Sequence, residues 1–335
     1  MTPQLGLGCV SLGSASGGRS FRDDVAFVGA ALDRGITLFD TADVYGSGNS
    51  ERVLGRALRT RRDEVVIASK GGYVFRPRSG LEQSARRTAQ ALARRVPSRQ
   101  GGSGAGGSGG GSAGGGSSGG GSYAAQDFSP AYLRSAVEAS LQRLQTDRID
   151  VYQLHGPRQP APELLQGLQD LITTGKVGRF GVGAEDVDAA AAWATIDDVA
   201  VVQLPFGMLD PEAASTVFPL ARRRGVDVWA RGVLGGGVLR AAAIDPSSLA
   251  DHPKHRLVER LAEIARQAGI GIDQLALGFV LAHADDLATI LIGTRSPAQL
   301  RRSVELMEAP PLPDAVLGAV GEVIDDGNAW RERRD

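Results

Sequence analysis

The stretch FDTADVYGSGNSERVLGR, residues 39–56, decides how the rest of the chain is interpreted. A short apolar run ends there at the carboxylate Asp40, and Tyr45 follows in the next loop. Two glycines then lead to a helix, for which Ser50 is the expected N-cap. A strand end, a loop with two polar groups and a helix start form the unit from which parallel α/β enzymes build sites. On its own, the stretch also fits a carboxylate that caps a turn and a tyrosine that is only a loop aromatic.

The composition of the chain argues against several classes of function. With 335 residues, 42% of them hydrophobic, it is long enough for one barrel-sized domain or two ordinary ones. A formal net charge of −1, with acids and bases interspersed, predicts no nucleic-acid partner and no binding to an anionic membrane. Cys9 is the single cysteine and the histidines have no metal-ligand spacing, so we expect no disulfide and no metal site. Without a signal-like or membrane-spanning apolar run, the protein is expected to be cytoplasmic.

Eight short apolar segments recur along the chain, each followed by a helical pattern. Their apolar residues do not alternate with polar ones, which indicates burial on both faces, as in a parallel sheet. The pattern predicts an α/β fold, a (β/α)8 TIM barrel in a single domain over residues 1–335. The expected strands are residues 5–10, 36–39, 64–69, 149–154, 178–182, 199–204, 226–230 and 287–292.

A long insertion interrupts this repeat after the third strand, at residues 79–128. It begins with a basic helical segment, residues 81–95, and continues into a Gly/Ser-rich tract, residues 101–122. Such a tract cannot bury apolar surface and should stay a flexible coil. A linker between fused domains is the alternative, but the βα pattern resumes beyond it. We therefore interpret it as a loop within one domain, whose helical part covers the mouth of the site.

Four proton-carrying groups are expected at the carboxyl ends of the strands, where the active site of a parallel barrel lies. Asp40 and Tyr45 follow the second strand, Lys70 the third and His155 the fourth. Singly, the lysine fits a solvated strand end and the histidine a wall position, but four such groups at one rim favour a common site. An ammonium lowers the pKa of a nearby phenol, a carboxylate keeps the ammonium charged, and an imidazole orients a carbonyl oxygen. The set delivers a proton to an oxygen that gains negative charge, so a cofactor must supply the rest of the reaction.

Three motifs resemble the aldo-keto reductase superfamily: FDTADVYG followed by SE, ASKGG at residues 68–72, and SLQRLQTDRIDVYQLH at residues 140–155. The resemblance covers nearly the whole chain outside the insertion. It implies a catalytic tetrad of Asp40, Tyr45, Lys70 and His155, with Tyr45 as general acid. It also implies reduction of a small-molecule aldehyde or ketone by a nicotinamide dinucleotide that is bound without a Rossmann fold.

The resemblance further implies how the cofactor is bound. Gln203 matches a glutamine that binds the nicotinamide amide, and Arg231 stands where an aromatic ring usually stacks on the nicotinamide. The segment at residues 293–303 resembles the adenosine-phosphate segment; its helix start together with Arg295 favours NADPH over NADH. The expected cofactor-binding residues are Gly8, Cys9, Val10, Asp40, Gly183, Gln203, Arg231, Gly232, Val233, Leu234, Gly235, Gly293, Thr294, Arg295, Gln299 and Ser303.

Three departures from the family pattern keep alternatives open. Gly183 and Ala184 stand where the family often has Ser-Asn, Gly207 replaces a common asparagine, and Gln299 replaces an arginine of many NADPH users. These differences bring the chain closer to the sugar-dehydrogenase branch. The alternatives are therefore an NAD(P)-dependent sugar or polyol dehydrogenase running in the reverse direction, a non-catalytic sensor or regulatory subunit, and an aldolase with a Schiff base on Lys70. The pocket walls are expected to include Val10, Tyr73, Phe75 and residues around Arg158.

Overall fold

The computed structural model describes residues 2–14, 19–74, 125–160, 162–240, 254–294 and 296–332. Eight parallel strands in these ranges close into a barrel in chain order. Each observed strand overlaps its predicted segment, so the predicted (β/α)8 barrel is confirmed. The strands are β1 (Gln4–Gly8), β2 (Leu38–Asp40), β3 (Val66–Gly71), β4 (Ile149–His155), β5 (Val177–Gly183), β6 (Val201–Pro205), β7 (Asp227–Arg231) and β8 (Thr289–Gly293).

Helices cover the outside of the barrel and bury their apolar faces against it. In α2, for example, Val53, Leu54 and Leu58 are almost fully buried. Among the described helices, none has both the length and the apolarity needed to cross a membrane. The described helices are α1 (Phe21–Leu32), α2 (Asn49–Leu58), α3 (Pro130–Leu144), α4 (Pro162–Thr173), α5 (Val187–Ala194), α6 (Ala213–Arg224), α7 (His255–Gln267), α8 (Ile272–Leu281), α9 (Pro297–Met307) and α10 (Asp314–Glu332).

The interior of the barrel is built in layers because side chains alternate between the two faces of each strand. Gly6 belongs to a tightly packed layer, since a Cβ there would lie 2.7 Å from the side chains of Leu38 and Leu291. The buried apolar members of this layer are Leu38, Ala68, Val151, Val201, Trp229 and Leu291. The residues two positions later in the same strands form the next layer, at the carboxyl ends: Asp40, Lys70, Gln153, Gln203, Arg231 and Gly293.

The start of α2 differs from the prediction. Its N-cap is Gly48, with φ 80°, and Ser50 lies inside the helix. The Ser50 hydroxyl is buried, donates to Cys9 O at 2.9 Å and lies 2.8 Å from Thr41 Oγ1. Because the chain turns through left-handed conformations at residues 46–48, the helix begins earlier than the capping pattern indicated. The serine instead ties the end of β1 to the loop that carries Tyr45.

The chain on either side of residues 75–124 meets at the barrel rim. Tyr73 and Gln126 form an antiparallel bridge; Val74 N donates to Ala125 O at 2.9 Å, and Asp127 N to Gly72 O at 2.7 Å. Residues 125–128, assigned to the insertion from sequence, are therefore part of the rim beyond β3. The helical segment and the Gly/Ser tract predicted for residues 81–95 and 101–122 lie outside the described residues.

Candidate active site

A buried ion pair occupies the centre of the site. Lys70 Nζ donates to both carboxylate oxygens of Asp40 at 2.6 Å and to Thr41 O at 3.0 Å. Lys70 is only 1% exposed and Asp40 5%, so water screens this pair little. Burial acts to lower the pKa of Lys70, but the Asp40 carboxylate and the Tyr45 hydroxyl outweigh it, and the pKa is raised. Lys70 is therefore held as an ammonium, as the sequence predicts.

Two buried amides complete the surroundings of Asp40. Gln203 Nε2 donates to Asp40 Oδ1 at 3.0 Å, and Gln153 Nε2 approaches the same oxygen at 3.3 Å. Sequence reasoning missed Gln153. The signal was available, since a residue two positions before His155 on a strand must share its face. Carboxylate, ammonium and amides thus form one hydrogen-bonded layer across the barrel.

Tyr45 lies beside this ion pair. Its ring centroid is 5.3 Å from Lys70 Nζ and 5.8 Å from the centroid of the His155 ring, which it meets edge-on. The sequence predicts that the ammonium lowers the pKa of the phenol. The ammonium does act in that direction, but burial has the larger effect and keeps the pKa of Tyr45 above its ordinary value. Since a phenol normally ionises near pH 10, Tyr45 stays protonated at neutral pH and is available as an acid.

His155 is a neutral imidazole in this setting. Burial, and then the charges of Lys70 and Arg231, lower its pKa to about 3. Its Nδ1 atom is buried and has no hydrogen-bond partner among the described residues. A neutral imidazole can donate one N–H to a carbonyl oxygen but does not serve as the proton source. The structure therefore brings Asp40, Tyr45, Lys70 and His155 together, as predicted from their positions at the strand ends.

Apart from Asp40, which ends β2, the described residues predicted to contact a cofactor lie at or beyond the ends of β1 and β5 to β8. Gly8, Gly183 and Gly293 end their strands without side chains, and a Cβ at Gly183 would lie 3.5 Å from the Lys70 side chain. Gly183 is itself buried beside Lys70, whereas Gly8 is half-buried and Gly293 is exposed, so accessible backbone lies at the ends of β1 and β8. Cys9 is buried, which raises its pKa well above the ordinary value, whereas Val10 is 56% exposed on the rim.

Arg231 and the loop after it continue this part of the rim. Arg231 Nη2 donates to Ala184 O at 2.9 Å, so the side chain reaches from the end of β7 to the end of β5. No carboxylate of the described residues forms an ion pair with it. Val233 anchors the following loop in the core, and Leu234 packs against it, while Gly232 and Gly235 have φ values of 70° and 60°. Left-handed glycines of this kind let backbone N–H groups face a phosphate.

A guanidinium lies at the start of α9, where the sequence lacks a family arginine. The Gln299 amide satisfies its neighbours when its nitrogen donates to Thr294 Oγ1 at 2.8 Å and its oxygen accepts from Arg240 Nη1 at 2.7 Å. Sequence reasoning missed Arg240, because it follows β7 and nothing local links it to α9. Ser303 is buried in the second turn of α9, away from the helix start. Arg295 lies outside the described residues.

Comparison with known proteins agrees with this geometry. A family model described as "Aldo/keto reductase family" matches residues 4–325. An aldo-keto reductase of Bacillus subtilis is 26% identical over 325 residues, covering 90% of this chain and 84% of the relative. A D-threo-aldose 1-dehydrogenase of Pseudomonas sp. is 28% identical over 319 residues, covering 90% of this chain and 88% of the relative. The solved holo form of an aldo-keto reductase from Bacillus halodurans matches with a TM-score of 0.71 at 24% identity, covering 96% of this chain and 92% of that one.

Proposed function

The chain belongs to the aldo/keto reductase family, whose members are NAD(P)-dependent oxidoreductases, and we propose that it reduces an aldehyde or ketone to an alcohol with NADPH. The observation that carries this proposal is the buried Lys70–Asp40 pair beside the protonated Tyr45, with a neutral His155 at its edge. A carbonyl oxygen that gains negative charge needs a proton donor and a fixed positive charge close by. The Tyr45 hydroxyl and the Lys70 ammonium are suited to these two roles.

Each residue of the tetrad then has a distinct role. The carbonyl oxygen accepts hydrogen bonds from the Tyr45 hydroxyl and the His155 N–H. The carbonyl carbon accepts the hydride that NADPH supplies when bound. Tyr45 gives its proton to the oxygen and later regains one from solvent, while the Lys70 ammonium stabilises the phenolate in between. Asp40, held by Gln153 and Gln203, keeps Lys70 charged and in position.

The preference for NADPH over NADH is supported by the start of α9. A 2′-phosphate carries negative charge that a guanidinium binds with charge-assisted hydrogen bonds. Arg240 places such a group on Gln299, beside Thr294. Contacts of Gln203, Arg231 and the loop at residues 232–235 with the cofactor stay predictions, as do those of Ser303 and Arg295.

The test of the proposed activity is Tyr45→Phe. We expect kcat/KM for NADPH-dependent reduction of aldehydes to fall by about 10²–10⁴-fold, the usual contribution of a general acid. The Kd of NADPH, followed by its fluorescence, should change little, because the ring itself remains. If the variant oxidises NADPH as fast as the unaltered protein, Tyr45 is not the acid and the proposal fails. If neither protein oxidises NADPH although both bind it, the chain is a cofactor-binding sensor or regulatory subunit. Borohydride trapping of a carbonyl compound on Lys70 would instead indicate an aldolase.

A second candidate is the reverse reaction, oxidation of a sugar or polyol with NAD(P)+. It is favoured by Gly183 and Ala184, which depart from the Ser-Asn of the family pattern and make the sequence resemble the sugar-dehydrogenase branch more closely. It is also favoured by the similarity to a D-threo-aldose 1-dehydrogenase. Initial rates on aldehydes with the reduced cofactors and on sugars and polyols with the oxidised ones separate the two candidates.

A further inference from the structure

Three polar side chains that the reaction does not use converge beside His155. Tyr73 Oη donates to Glu185 Oε1 at 2.9 Å, and Gln126 Nε2 donates to the carbonyl oxygens of His155 and Gly156 at 2.9 and 3.1 Å. A side chain at Gly156 would meet all of them. Its Cβ would lie 2.9 Å from Glu185 Oε1, 3.2 Å from Tyr73 Oη and 3.3 Å from Gln126 Nε2. The three atoms therefore surround a single point, one residue beyond the catalytic imidazole.

This cluster is joined to the catalytic layer through Tyr73. The Tyr73 ring meets the His155 ring edge-on, with centroids 4.9 Å apart and planes at 81°. Tyr132 Oη donates to Tyr73 O at 2.5 Å, and the bridge between Tyr73 and Gln126 holds the backbone. The His155 ring thus contacts both the Tyr45 ring and the Tyr73 ring, so the cluster borders the same imidazole as the proton donor.

The Glu185 carboxylate leaves hydrogen-bond acceptor capacity in the cluster. Tyr73 uses its proton on Glu185, and Gln126 uses its amide protons on two backbone oxygens. Glu185 is exposed, and no lysine or arginine of the described residues pairs with it. A carboxylate has about four lone-pair sites, of which Tyr73 occupies one. What remains is acceptor capacity, which suits a hydrogen-bond donor and disfavours another anion.

We propose that Glu185, Tyr73 and Gln126 form a hydroxyl-binding subsite that selects substrates with a hydroxyl group close to the reacting carbonyl. The substrate hydroxyl donates to the lone pairs of Glu185 that Tyr73 does not occupy, while Tyr73 holds the carboxylate in place and Gln126 holds the backbone at residues 155–156. The same carboxylate repels carbonyl compounds that carry a carboxylate or phosphate. This inference rests on the proposed carbonyl reduction and names its substrate class.

The experiment compares substrates of equal chain length that differ in hydroxyl groups: glycolaldehyde with acetaldehyde, and glyceraldehyde with propanal. In Glu185→Ala, the ratio of kcat/KM for the hydroxylated to the plain aldehyde should fall by about 10–100-fold, as for a lost hydrogen bond to a charged group. Tyr73→Phe should lower the ratio less. Glu185→Gln should raise kcat/KM for succinic semialdehyde by several-fold, since the repulsion is removed.

Asp188→Asn is the matched control, because it removes an exposed carboxylate from the first turn of α5. It should leave every ratio as in the unaltered enzyme. The same preference is also measured without turnover, as Kd values of the aldehydes for the NADPH complex of Tyr45→Phe with and without Glu185→Ala. The subsite is overturned if Glu185→Ala leaves both ratios of hydroxylated to plain aldehyde unchanged, the ratio of kcat/KM and the ratio of Kd. A third outcome is that the preference for hydroxylated aldehydes in binding disappears in Glu185→Ala, while the unaltered protein reduces none of the aldehydes. That outcome supports the subsite and rejects carbonyl reduction.

Discussion

The two halves of the barrel rim are built in different ways. At the ends of β2 to β4, charged side chains on or just beyond the strands are buried and joined by short hydrogen bonds, as in the Lys70–Asp40 pair. At the ends of β5 to β8 and β1, glycines end three strands, and the cations Arg231 and Arg240 have no carboxylate partner among the described residues. Proton delivery requires charges that do not move in a dry environment. Binding a large anion requires accessible backbone and free cations instead.

Gln203 connects the two halves. It comes from β6, in the half with the predicted cofactor residues, yet its amide donates to Asp40 in the catalytic half. The effects of a substitution on the two halves can therefore be distinguished only when catalysis, cofactor affinity and stability are measured independently.

Lys70→Met should damage the catalytic half most. The substitution leaves the Asp40 carboxylate buried without its partner, which typically costs about 3–5 kcal/mol of unfolding free energy. Reduction should also slow by about 10²–10⁴-fold, because the phenolate of Tyr45 loses its stabilising charge. The double variant Asp40→Asn/Lys70→Met should regain most of the unfolding free energy, measured by urea denaturation, while its activity stays low. A single variant as stable as the unaltered protein would show that the pair is not buried as described.

Arg240→Ala should affect the cofactor half alone. We expect the Kd of NADPH to rise by about 10–100-fold, as for the loss of a charge-assisted hydrogen bond, and that of NADH to stay nearly constant. Arg256→Ala is the control, since it removes an exposed cation from α7. Equal weakening of both cofactors by Arg240→Ala would place its guanidinium away from the 2′-phosphate.

Gly232→Ala tests the loop after β7. Its φ of 70° costs an alanine about 1–2 kcal/mol, although nothing lies within 4 Å of the new methyl group. We expect NADPH binding to weaken by about 5–10-fold, since a backbone shift of this cost misplaces the N–H groups. Gly225→Ala, at the end of α6 with φ 67° and equally open space, carries the same strain far from the rim. Equal NADPH affinities of the two variants would contradict the assignment of this loop to the phosphates of the cofactor.

The pH dependence of reduction should contain no step in the range where histidine normally titrates, about pH 5–8. The pKa of His155 is lowered to about 3, so the ring is neutral throughout that range. The pKa of Tyr45 is raised by burial, so the required protonated phenol is lost only at alkaline pH. kcat/KM for reduction should therefore be level and then decline at high pH, and an inflection near neutrality would contradict this assignment.

Excision of residues 101–122 should have the smallest effect. The composition of this tract predicts no buried surface, and the chain on either side is already paired at the rim through Tyr73 and Gln126. Shortening a flexible loop changes closure entropy by less than about 1 kcal/mol. Thermal melting should stay cooperative with nearly the same Tm and NADPH affinity. Loss of cooperative melting would show that the tract belongs to the folded domain.

Much of the site follows from the sequence because strand alternation is a local property. Leu38, Ala68 and Trp229 face the interior of the barrel. The residues two positions later on the same strands, Asp40, Lys70 and Arg231, must face it too, at the end where parallel barrels carry their sites. The identities and order of the strand-end residues therefore required no coordinates. Ser50 shows the limit, since the conformation of three preceding residues moved the start of its helix.

How these groups act on one another is determined by tertiary packing. Whether burial or the ammonium controls the pKa of Tyr45 depends on the packing of the whole barrel, and burial has the larger effect. Several hydrogen bonds of the site join segments that are far apart in the chain. They are those of Gln153 and Gln203 to Asp40, of Arg240 to Gln299, and of Tyr73 to Glu185. The physical reason is that periodicity specifies the face on which a side chain lies, whereas distances and desolvation arise only when separate strands close around one space.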